Sequence, residues 1–146
     1  MSIVIERTVT TRASARAALD YLADFTHTND WDPGTVETRR TFGTGDVGTR
    51  YENTSRFLGR TVHLTYVVTT RDDTTVRLRA ANDTTRSEDT MTVLPSGAGG
   101  ARVHYRAEFW FSGLAGLLAP LLRPAFTRLG DRAEAGLQRE LDRLAD

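Results

Sequence analysis

The sequence predicts an α+β fold in which a seven-stranded antiparallel sheet wraps around a long C-terminal helix, with two short helices between strands 1 and 2. Three observations predict it. Seven stretches rich in β-branched and aromatic residues run along the chain, and short turn-forming segments separate all but the first two, which favours hairpins. A brief helical pattern follows the first stretch. From Leu114 onward, apolar residues recur three or four apart. No repeat or long linker interrupts the pattern, so residues 1–146 are expected to form one domain, long enough to bury roughly 68–70% of its unfolded surface.

The first strand is residues 2–11, SIVIERTVTT. Ser14 is a good N-cap, and Ala17, Ala18, Tyr21, Leu22 and Phe25 follow at helical spacing. The next segment, DFTHTNDWDPG, crowds Asp24, His27, Asp30 and Asp32 together, residue types that serve hydrolytic and metal sites. Asp24, His27 and Asp30 could share a face only if a helix ran unbroken through THTND, where propensity is poor. Thr28, Asn29 and Asp30 are capping and turn residues, and Asp32 before Pro33–Gly34 initiates a turn, so the segment reads as a structural corner without a metal. Six strands follow: Val36 to Thr44, Thr49 to Leu58, Arg60 to Arg71, Thr75 to Ala81, Ser87 to Leu94 and Ala101 to Phe111. In the tail, Pro120 and Pro124 suit a first turn, so the regular helix is expected to start at one of them. From Pro124 to Ala145 it would span about 33 Å, enough to cross a seven-stranded sheet roughly 30 Å wide. The run GLAGLLAPLLRPAF is read as the buried start of that helix, with a mobile lid over residues 113–126 as the alternative.

Strand parity assigns the inner face. Val103, Tyr105, Ala107, Phe109 and Phe111 share one side of the last strand, as do Val62, Leu64, Tyr66 and Val68 on the fourth and Val76, Leu78 and Ala80 on the fifth. His63 and His104 then face solvent. The second and third strands place Val36, Thr38, Arg40 and Phe42, and Tyr51, Asn53, Ser55 and Phe57, inside; Asp89, Met91 and Val93 share that side on the sixth. An unpaired buried polar group costs about 1–3 kcal/mol, so this mixed face fits a partly hydrated cavity better than a dry core. Strand ends that reach water, or a pairing of Arg40 with Asp89, would also explain it.

Composition narrows the partners. Nineteen basic and nineteen acidic residues cancel, so the field that would draw in nucleic acid is missing. Without cysteine there is no disulfide or thiolate chemistry. No segment approaches the roughly 18 apolar residues that span a bilayer, and the N-terminus lacks a signal-peptide pattern. The expectation is a cytoplasmic protein with no nucleic acid partner, no stable membrane insertion and no cofactor.

The ordered set of RASARAALDYLADF, NDWDPGTVE, GTGDVGTRYE, PSGAGGARVHYRAEF and a helix ending LQRELDRL resembles the START/Bet v 1-like (SRPBCC) superfamily, in its bacterial polyketide cyclase/dehydrase and lipid-transport branch. The resemblance implies a helix-grip fold with an apolar cavity between sheet and last helix. It also implies that Trp31 packs under the sheet. The function expected first is binding or transport of a small hydrophobic ligand (lipid, isoprenoid, quinone or aromatic polyketide), with Arg40, Tyr51, Asn53, Phe57, Tyr66, Met91, Tyr105 and Phe109 lining its site and Arg40 as polar anchor. A polyketide aromatase/cyclase or dehydratase is the alternative, with Asp89 the one carboxylate placed to act as base. A protein-interaction role comes third, with no surface that marks a partner.

Overall fold

A computed structural model describes residues 2–145. Strand β1 (Ser2–Thr11) leads into helix α1 (Ala15–Ala23), a 3-10 turn (Phe25–His27) and the short helix α2 (Thr28–Trp31). Six strands follow, β2 (Thr35–Phe42), β3 (Arg50–Phe57), β4 (Arg60–Arg71), β5 (Thr75–Ala81), β6 (Thr85–Ser96) and β7 (Gly100–Phe111), and then helix α3 (Gly113–Arg143). The sheet is antiparallel throughout in the order β1-β7-β6-β5-β4-β3-β2. Consecutive strands pair through short turns, and only β1 and β2, joined by the helices, stand at opposite edges. This is the helix-grip arrangement.

The local signals act where they were read. The Ser14 hydroxyl accepts from the Ala17 N–H at 3.1 Å and caps α1. Asp24 caps the 3-10 turn, accepting from the Thr26 N–H and hydroxyl. His27 stacks on Tyr21 with ring centroids 4.1 Å apart, and its Nδ1 lies 2.7 Å from the Tyr21 carbonyl oxygen. Trp31 is buried and meets Tyr105 edge to face at 5.6 Å. These partners give most of the acidic corner a structural role.

Helix α3 is tied to β1 and α2 along its second half. Arg7 donates to Asp131 at 2.9 Å, the Thr11 hydroxyl donates to Asp142 at 2.9 Å, and Gln138 donates to the Thr10 carbonyl at 2.8 Å. Arg139 donates to the Asp30 carbonyl at 3.0 Å. Backbones come close here because Gly136 has no Cβ: one would run into the Trp31 carbonyl. Leu137 and Leu141 complete the core beneath.

Three expectations need correction. Helix α3 begins at Gly113 and passes through both prolines. They are exposed four residues apart, so the carbonyls left without an N–H partner can be hydrated. The expected buried start is also wrong for most of that run, since Leu114, Leu117, Leu118 and Leu121 are exposed. Finally, β2 is an edge strand with register shifts between Thr35 and Glu37 and between Arg40 and Phe42. Thr38 is buried, whereas Val36 and Phe42, each across a shift from it, are exposed, and Arg40, in register with Thr38, is exposed near the end of this edge strand.

Gly136→Ala is expected to destabilise by about 1–3 kcal/mol, read as a lower melting temperature. Gly97→Ala, where a Cβ would meet open space, is the control and should change little.

Candidate functional site

A cavity of about 130 Å³ lies between the inner face of the sheet and the middle of α3. Its walls are apolar and aromatic: Ile5 from β1, Leu64 from β4, Phe57 from β3, Phe109 and Phe111 from β7. Helix α3 closes it with Phe126, Leu129, Gly130 and Ala133. Phe126 gathers the rings at one end, 4.5 Å from Phe57, 5.0 Å from Phe109 and 5.8 Å from Phe111 between centroids.

A few polar groups enter this apolar space, and two strands deliver the most important pair. Asp89 on β6 and Tyr105 on β7 both point inward by parity, and the Tyr105 hydroxyl donates to Asp89 Oδ2 at 3.0 Å. Asp89 is 4% exposed and its Oδ1 is buried without a hydrogen-bond partner. Burial pushes the Asp89 carboxyl up from 3.8 to about 7; the charges of Asp32 and Glu88 add to the rise and the Tyr105 hydrogen bond opposes it. No arginine contributes. Burial also holds the Tyr66 and Tyr105 phenols well above their ordinary value, with Asp89 reinforcing both. They remain protonated donors at neutral pH.

Asp32 also lines the cavity. Its carboxylate accepts from the Gly34 N–H and the Thr35 hydroxyl, both at 2.9 Å, and burial nevertheless pushes its pKa up. Asn53 and Ser55 lie alongside. The Asn53 amide nitrogen donates to the Thr38 hydroxyl at 2.8 Å, and the Ser55 hydroxyl donates to the Asn53 oxygen at 2.6 Å. Thr38, Asn53 and Ser55 thus satisfy one another on the inner face, whereas Asp89 Oδ1, the Ser87 hydroxyl and the Tyr51 hydroxyl have no partner among the described residues.

Of the residues assigned from sequence, Asn53, Phe57, Tyr66, Tyr105 and Phe109 line the cavity together, and Arg40, Tyr51 and Met91 do not. Arg40 keeps the parity of Thr38 and pairs with Tyr51, but it stands near the end of the edge strand, exposed beside a separate depression that it shares with Tyr51, Asp24 and Arg71. Tyr51 and Met91 are fully buried in the core. Arg40 is therefore no anchor for a ligand in this cavity. Sequence reasoning missed Asp32, Phe111 and Phe126 as lining residues. Phe111 was on the inner-face parity and Phe126 on the helix stripe, so both carried a signal; Asp32 carried only the signature of a turn.

The chain matches the family described as polyketide cyclase / dehydrase and lipid transport over residues 2–146. No sequence among curated proteins matches it. Among solved structures, the Zhui aromatase/cyclase of Streptomyces sp. R1128 superposes with a TM-score of 0.83 at 13% identity, covering 100% of this chain and 97% of that one. A START superfamily protein from Mycobacterium smegmatis gives 0.77 at 13%, covering 97% and 98%. Norcoclaurine synthase from Thalictrum flavum gives 0.60 at 18%, covering 92% and 86%. At such identities the structural likeness speaks for the fold alone.

The raised Asp89 pKa carries a stability consequence. Between its ordinary 3.8 and about 7 the folded protein keeps a proton that the unfolded chain has lost, so stability falls as pH rises across that window, by up to about 4 kcal/mol. In Asp89→Asn the decline in melting temperature between pH 5 and pH 8 should largely disappear. A decline that survives the substitution would assign the proton to another group.

Proposed function

The chain belongs to the polyketide cyclase / dehydrase and lipid transport family, and on that premise we propose that it binds a small hydrophobic ligand in the cavity and moves a proton on it, as an aromatase/cyclase or dehydratase does. One observation carries the choice over pure binding: a buried carboxyl with a free oxygen, titrating near 7, faces an apolar cavity beside two phenols. Proton transfer at neutral pH is best served by a group with such a pKa. A buried acid is costly to ionise, and one whose free oxygen faces the cavity is placed to take a proton from a bound ligand.

In this reading Asp89 Oδ1 takes a proton from the carbon next to a ketone. The Tyr66 hydroxyl donates to the oxygen on which negative charge develops, while Tyr105 keeps its hydrogen bond to Asp89 Oδ2 and orients the carboxyl. The carbanion then attacks a second carbonyl carbon, forming a carbon–carbon bond, and Asp89 returns its proton to the new alkoxide. Removal of another α proton and departure of hydroxide, protonated to water, would complete a ring-forming dehydration. The apolar walls keep bulk water from quenching the carbanion.

Size limits the ligand. A dry engineered cavity of about 150 Å³ holds benzene, so the space here accommodates one ring, or the reactive end of a longer molecule that leaves past the phenylalanines. The second reading, transport without chemistry, draws on the family description and the predominance of apolar walls.

Exchange of the methyl protons of acetophenone in deuterium oxide, followed by NMR, tests proton transfer without knowledge of the natural substrate. The protein should accelerate exchange, with a rate that rises through about pH 7 as Asp89 ionises. Asp89→Asn should lose on the order of 10²–10⁴-fold. Because the Tyr105 hydrogen bond lowers the Asp89 pKa, Tyr105→Phe should move the profile to higher pH. Saturable binding with exchange no faster than buffer would leave the transport reading.

A further inference from the structure

The cavity has an electrostatic asymmetry that neither reading above uses. Two carboxyls line it, Asp89 from β6 and Asp32 from the corner after α2, together with two phenols, Tyr66 from β4 and Tyr105 from β7. The wall from α3 (Phe126, Leu129, Gly130, Ala133) brings no titratable group. Arg56 is the only basic residue among the lining residues, and it is exposed, on the strand parity opposite to Asn53, Ser55 and Phe57. The arginine that sequence placed inside, Arg40, lies outside the cavity. Glu88, next to Asp89 on the outer face, is held by Arg79 at 2.8 Å and adds no positive charge.

The geometry points to a charge filter: the cavity accepts neutral ring compounds that carry a carbonyl or hydroxyl oxygen and rejects carboxylates of the same shape. This deepens the proposed function, on which it rests, by naming the class of ligand the site takes. An entering carboxylate would lose its water without meeting a cation, and would sit against the Asp89 carboxylate in a poorly screened space. A neutral carbonyl oxygen would instead accept from the Tyr66 hydroxyl, and an amide or hydroxyl would donate to the unpartnered Asp89 Oδ1. Specificity of this kind comes from repulsion of the wrong ligand as much as from attraction of the right one. Long-chain fatty acids would be poor ligands despite their apolar tails.

Protonation changes the filter. Below about pH 7 Asp89 becomes a neutral donor, its like charge vanishes, and it can offer a hydrogen bond to an anion. Discrimination should therefore be strong at pH 8 and relaxed at pH 5.5, where benzoate itself is still ionised.

Calorimetric titration of the intact chain with benzamide and with benzoate tests this, since the two differ chiefly in charge. At pH 8 benzamide should bind at least tenfold more tightly; at pH 5.5 the gap should narrow, and Asp89→Asn should narrow it at pH 8 as well. Benzoate binding as tightly as benzamide at pH 8 would overturn the filter while leaving the binding site in place. A gap unchanged at pH 5.5 would overturn the role of Asp89 in it. If neither compound binds the wild-type chain at either pH, the binding reading falls and the filter with it.

Discussion

Everything in this molecule that resembles a site depends on how closely α3 can approach the α2 corner and β1. At Gly136 the helix touches the Trp31 backbone, and at Gly130 a Cβ would collide with Ile5 and Arg7. Small residues at these points bring the helix down onto its supports, and the Arg7, Thr11, Gln138 and Arg139 hydrogen bonds hold it there. Farther toward the N-terminal end of the same helix, large side chains replace small ones. Phe126 stands against Phe57, Phe109 and Phe111 and keeps the helix off the sheet. The cavity is the space left between the close end and the propped end.

That space sets the chemistry by setting the dielectric. A carboxyl on an antiparallel strand normally faces water, and its pKa then needs no comment. Asp89 faces the cavity instead, where loss of hydration is the largest influence on it and where the one phenol that donates to it does not offset the loss. Folding stability is given up to keep the group there. The same apolar walls that raise the acid also exclude the cations that would neutralise it, so reactivity and charge selection have a common physical origin.

The acidic corner shows how one segment can serve both architecture and site. Asp24 and His27 are spent on caps and stacking, as turn chemistry indicates. Asp32 makes the hydrogen bonds of a turn initiator, yet the turn it makes also directs it at the cavity. The segment is chiefly architecture in its partners, and through Asp32 it also borders the cavity.

Much of the fold was legible because it rests on local periodicity. Alternation over β4 to β7 predicts which residues face inward, including Tyr66, Asp89 and Tyr105, and Ser14 and the turn-forming segments mark where elements begin and end. What local pattern could not carry was the path of an edge strand and the stand-off of a helix. Arg40 keeps the parity of Thr38 yet is exposed near the end of an edge strand, and a strand's place in the sheet has no signature in its own alternation. The prolines in α3 argue for a later start, but an exposed face lets water take the place of the missing bonds. The sequence alone determined the order of elements and the inner parity of the regular strands. Tertiary structure alone decided which inner residues share one cavity and what happens to the charge of Asp89. That depends on distances between elements far apart in the chain, and on the water that their packing removes.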